Sequence, residues 1–158
     1  MKKRITAILA VMLALATLFS LTVSVGNNLV AKEQMKRLLS CELPNGSLLL
    51  DSASIAGKQA GNGNGMQWLG AVLIETDQRF SEEALCQWYG NQMRLDESNE
   101  RIDIFAQDSP YFYGHRKNRF SSGADGGFYY QISLCKSSVS GFEASFWEKL
   151  LNLDPRAH

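Results

Sequence analysis

Three groups of residues in the 158-residue chain have types and spacings suited to chemistry. The first is the glycine-rich run Gly57–Gly65 (GKQAGNGNG), where Lys58, Asn62 and Asn64 offer a cation and two amides on a permissive backbone. A phosphate-binding loop requires GxxxxGK followed by Ser or Thr and leading into a helix. Here Gln59 follows Gly57-Lys58, Ser52 stands where the first glycine belongs, and the run leads into a strand-like segment. The dinucleotide pattern GxGxxG also fails, because counting from Gly61 its last glycine falls at Met66. Two readings remain: a hairpin tip in which Gly and Asn supply positive φ, or a loop whose backbone amides approach a ligand.

The second group is Tyr111, Tyr113, His115, Arg116, Lys117 and Arg119, inside the nineteen-residue connection 108–126. Connections of that length are uncommon without a function of their own. Cations interleaved with aromatics suit an anionic partner such as an envelope polymer or a lipid headgroup. The alternative is a solvated loop whose aromatics cover a sheet edge. The third group is the cysteines, Cys41, Cys86 and Cys135, an odd count that allows at most one internal disulfide. Cys86 with Cys135 is the candidate pair, provided that both point into one layer. Otherwise all three are apolar thiols.

Other catalytic chemistry finds little support. Nucleophilic catalysis needs a Cys or Ser beside a histidine, and in a Cys86–His115 couple Cys86 sits in mid-helix, away from the helix N-terminus that would lower its pKa. His158, the only other histidine, is the last residue given. No CxxC and no metal-ligand spacing occurs, and no cofactor motif is present. Carboxylates near strand ends or loops (Asp51, Glu75, Asp103, Asp125) leave a carboxylate-dependent hydrolase as an alternative. Sixteen basic and sixteen acidic residues balance to zero, so no global cationic field exists and nucleic acid is not an expected partner. With 45% apolar residues the chain has the composition of a folded protein.

The elements that would position these groups begin with Lys2-Lys3-Arg4, followed by twenty-two uncharged residues from Ile5 to Gly26. At 1.5 Å per residue that run covers about 33 Å, enough for a hydrocarbon core of about 30 Å. It is a membrane anchor or a secretion signal. Ser24 and Gly26 fit small-x-small processing, while the length exceeds an ordinary signal core and the β-branched Val23 and Val25 disfavour cleavage. A short, densely basic N-terminal flank argues for an inside N-terminus and an outside C-terminal domain. Residues 27–158 then carry 13 basic against 16 acidic groups, a formal charge of −3.

A stalk helix is expected over 27–42, its face formed by Ala31, Met35, Leu38 and Leu39. Pro44-Asn45-Gly46 breaks it. Strands are expected over 47–56, 66–76, 101–107 and 128–135. The second is apolar on both faces, which suits a central position. A helix over 81–93 starts on the cap Ser81, with Glu82 and Glu83 opposing the dipole. A last helix opens on the capping box Ser140–Glu143 and carries Phe142, Phe146, Leu150 and Leu153 to Pro155. The expected fold class is α+β: a membrane or signal helix (1–26), a stalk (27–42), and an extracytoplasmic two-layer domain (43–158) with a four-stranded, mostly antiparallel sheet in ββα-ββα order.

An apolar N-terminal helix leading through a stalk to a four-stranded sheet resembles the layout of type IV pilins and pseudopilins. That resemblance would imply an assembly subunit. It lacks the residues on which that family depends, since Arg4 stands where a glycine precedes the apolar run and no acid occurs before Glu33. The expectation is therefore a small membrane-tethered or secreted binding or accessory protein without catalysis, attached through residues 5–26. Its partner would be an anionic envelope polymer, a lipid headgroup or a protein.

Overall fold

The computed structural model describes residues 2–58, 66–107 and 127–138. Its elements are α1 (Lys2–Leu39), β1 (Ser47–Lys58), β2 (Met66–Thr76), α2 (Glu82–Gln92), β3 (Glu100–Gln107) and β4 (Phe128–Ser138). All three strand pairings are antiparallel, in the order β1-β2-β4-β3. The fold is α+β, with one long apolar N-terminal helix, a second helix and a four-stranded antiparallel sheet. The expected closing helix after Ser140 lies outside the described residues.

The apolar run and the stalk are one uninterrupted helix. No Pro occurs in α1, and Gly26, with open space around its Cα, does not break it. The helix ends where Ser40 N–H still donates to Lys36 O at 3.0 Å and the chain turns through Pro44 and Gly46 into β1. Gly46 has φ +73, and a Cβ there would strike the Asp77 carboxylate, so this turn requires glycine. α2 starts as its sequence indicates: Ser81 Oγ accepts from Ala84 N–H at 3.1 Å, with Glu82 and Glu83 in the first turn.

Strand alternation divides the sheet into two faces. Val72 and Ile74 of β2, Ile104 of β3 and Tyr130, Ile132 and Leu134 of β4 meet Leu38 of α1, Leu85 and Tyr89 of α2, and Met93, which caps α2. On the opposite face Ala71 and Leu73 are buried with Leu50, Ala53 and Leu69 against them. β2 is thus apolar on both sides because it is an inner strand.

The face that α1 turns to the sheet corrects the sequence expectation. Ala31 and Leu38 are buried as expected, but Leu39 is exposed and Met35 only half-buried, whereas Ser24, Asn27 and Gln34 are buried. The buried seam therefore runs 24, 27, 31, 34, 38, alternating steps of three and four, and three of its five residues are polar. Close approach explains the difference. Gly70 of β2 lies so near α1 that a Cβ would collide with the backbone of Gln34 and Met35. At that separation, small and hydrogen-bonding side chains fit where Leu39 would not.

Candidate functional site

Where α1 leaves the sheet it carries apolar side chains into open space. From Arg4 to Phe19 every residue is exposed, and Leu13 reaches 72%. An exposed apolar surface of this extent marks an interaction site, and the helix is long and apolar enough to cross a membrane or to act as a signal sequence. The hydroxyls along it bond to the helix itself: Thr17 donates to Leu13 O, Ser20 to Thr17 O at 2.9 Å, and Thr22 to Leu18 O at 2.8 Å. Such bonds let hydroxyl groups reside in hydrocarbon.

The exposed segment ends at a definite level. Ser24 is fully buried, its Oγ without a hydrogen-bond partner among the described residues, and Asn27 Oδ1 accepts from Trp68 Nε1 at 3.1 Å. Ile5 to Val23 rises about 28 Å along the axis, close to the thickness of a hydrocarbon core. The folded head therefore starts within one turn of where such a span would end.

A charged clasp holds the other end of α1. Arg37 Nη1 lies 2.8 Å from Glu100 Oε1 and 3.0 Å from Gln34 Oε1, while Nη2 donates to Arg94 O at 2.9 Å. Glu100, whose side chain is 4% exposed, also accepts from Asp96 N–H at 3.1 Å and has Lys136 Nζ 3.6 Å away. Burial pushes the Glu100 pKa up, but the Arg37 and Asp96 hydrogen bonds and the two cationic charges outweigh it and hold it below the ordinary value. Arg37, Arg94, Leu95, Asp96 and Glu100 line a groove of about 540 Å³, most of whose polar groups are already paired.

A second groove, about 280 Å³, opens between the first turns of α2 and β3. Glu82, Glu83 and Cys86 line it from α2, Ile102 and Ile104 supply an apolar floor, and Asp103 and Phe105 border it at the strand edge, their side chains directed to the opposite face. Asp103 is engaged by Arg101 Nε at 3.0 Å and by the Cys135 thiol at 3.2 Å.

The candidate disulfide is corrected. Cys86 and Cys135 are both free thiols. Ile132 and Leu134 point to the face that α2 covers, so Cys135, one residue out of phase, points to the other. Burial, followed by the Asp103 carboxylate, pushes the Cys135 pKa up to about 12, and burial raises that of Cys41. Both therefore remain protonated at neutral pH. Lys58 is the last residue of β1. Asn62, Asn64, Tyr111, Tyr113, His115, Arg116, Lys117, Arg119 and Asp125 lie outside the described residues. Asp51 accepts from Ser52 N–H at 2.6 Å at the register shift of β1, and Glu75 is near the end of β2.

Sequence reasoning missed the clasp and the acidic groove. Glu82 and Glu83 read only as helix-start signals. Nothing local links Arg37 to Glu100, sixty-three residues away. Comparison with protein-family models, with curated proteins and with solved structures finds no match.

Proposed function

We propose that the chain is a single-pass, membrane-tethered binding or accessory module with no catalysis of its own. Residues 5–26 anchor it, the N-terminus lies inside, and the head from about residue 27 onward stands outside. The observation that carries this reading is the continuity of α1. The exposed apolar stretch and the seam that packs on the sheet are successive turns of one helix, so the head is fixed directly to its anchor. The level of Trp68 and Asn27 supports the same placement, since Trp favours the membrane–water boundary. In this reading the closing helix expected from the capping box at Ser140 would complete the ββα-ββα order.

Absence of catalysis is supported by the state of the thiols and carboxylates. Cys41 and Cys135 are protonated, Asp103 is committed to Arg101, and Glu100 to Arg37. Among the partner classes compatible with the sequence, the acidic groove favours a protein over an anionic polymer or headgroup at that surface.

Membrane fractionation of cells making the native chain, with intact-mass measurement, tests the tether. The unprocessed 17.6 kDa chain is expected in the membrane fraction after alkaline extraction. Cys86, exposed on α2, should react with a membrane-impermeant maleimide in intact cells. A processed, soluble chain refutes the anchor, and labelling of Cys86 only after lysis refutes the orientation.

A further inference from the structure

The two edges of the sheet differ. β1 is interrupted by a register shift between Leu49 and Asp51, the kind of irregularity that blunts an edge against pairing. β3 keeps one register from Glu100 to Gln107. Ser137 N–H donates to Asn99 O at 2.9 Å, which makes Asn99–Ser137 a hydrogen-bonded pair. By alternation, the backbone groups of Arg101, Asp103 and Phe105 then bond to β4, and those of Ile102, Ile104 and Ala106 point outward. Among the described residues no strand pairs with that outer edge. The groove beneath α2 lies along it, with Ile102 and Ile104 on its floor and the carboxylates of Glu82 and Glu83 on its α2 side. None of the described residues lining it is basic.

We infer that β3 and the start of α2 form a docking site for an extended peptide segment of another protein, which adds to the sheet as a fifth strand and carries basic side chains beside apolar ones. The outward N–H and C=O of Ile102 and Ile104 supply up to four main-chain hydrogen bonds, which give affinity without sequence preference. Specificity comes from the side chains. Those directed toward α2 meet Glu82 and Glu83, so Lys or Arg is favoured there and an acidic segment is repelled. The apolar floor accepts residues of the size of Val or Leu. The inference rests on the reading of the head as a binding module and names the partner class that the reading leaves open. The clasp groove is not a competing site, because Arg37 and Glu100 satisfy each other within it.

The test uses the full chain in lipid nanodiscs and, as probe, an acetylated peptide of alternating Lys and Val. Hydrogen exchange is followed at the Ile102 and Ile104 amides. The peptide is expected to slow exchange at both about tenfold or more, while the same peptide N-methylated at alternate residues, or one of Glu and Val, has no effect. The double substitution Glu82→Lys/Glu83→Lys, at exposed positions, should weaken binding about tenfold. Saturating peptide without protection at these amides overturns the inference, as does equal protection by the Glu–Val peptide. Amides already protected in the free protein also overturn it, since the edge is then filled by another part of the chain or by a second copy. Nanodisc incorporation is scored separately, so loss of the tether and loss of the docking site give different results.

Discussion

Glu100 joins α1 to the sheet, and its chemistry is that of a buried anion kept ionised by its neighbours. An isolated carboxylate at this depth would be neutral at a raised pKa. With Arg37, Lys136 and the Asp96 amide around it, the folded state holds its pKa below the ordinary glutamate value. Between the lowered folded value and the unfolded one, the unfolded chain binds more protons, so acidification favours unfolding. The contribution is complete above the unfolded carboxylate's pKa and is lost as pH falls through the lower, folded one. Glu100→Gln is expected to cost about 1.5–3 kcal/mol at pH 7, the range for hydrogen bonds to charged groups. The difference from the parent should shrink when melting is repeated at progressively lower pH. A gap that stays constant from pH 7 to strongly acidic solution would show that Glu100 contributes shape and not charge. Cys86 and Cys135 mark the corresponding limit of reading from sequence at this scale. Their pairing hinged on one residue of strand phase, which places the two thiols on opposite sides of the sheet, and residue types alone do not encode that phase.

The junction between α1 and β2 works by proximity. Gly70 removes the side chain that would hold the helix away, so Ala31, Gln34 and Leu38 reach the sheet while Trp68 reaches back to Asn27. Gly70→Ala is expected to destabilise the head by about 3 kcal/mol, the upper end of ordinary overpacking, because the atoms in the way are backbone. Chemical denaturation of the solubilised protein measures it, and a change below about 0.5 kcal/mol, the range of neutral surface substitutions, would mean that α1 sits farther out. Element existence was legible wherever a period was pure. β2 appears over the expected 66–76, and α2 follows its cap and acidic first turn. β1 and β4 run beyond the expected ends, to Lys58 and Ser138, because sheet pairing carries Gly57 and Ser137 into the ladder where propensity would stop. The helix face was misread for a related reason. An apolar criterion selects Leu39 and passes over Gln34 and Asn27, whereas burial at a glycine-permitted close contact selects size and hydrogen bonding.

For the whole molecule, the long apolar N-terminal helix is the feature most plainly written in the sequence, since an uninterrupted apolar stretch needs no tertiary context to be recognised. The docking edge was not legible, because it depends on which strand ends the sheet and which backbone groups point outward, and both follow only from the order β1-β2-β4-β3. The exposed apolar stretch and the head meet in α1, whose first half is free of the sheet and whose second half packs on it. A substitution in the exposed half should therefore alter membrane residence and leave the head folded. Leu15, 61% exposed and in the middle of the free stretch, is the appropriate position. Leu15→Asp is expected to raise the free energy of insertion by about 2.5–3.5 kcal/mol, a shift of roughly 70- to 400-fold in the partition equilibrium. The melting of the head in detergent should stay within about 0.5 kcal/mol of the parent, as at any position remote from the core. Glycosylation-site reporters on the two flanks read the insertion, and denaturation in detergent reads the head. Unchanged insertion would show that hydrocarbon does not surround Leu15. A destabilised head would show that the exposed half of α1 folds back onto the sheet.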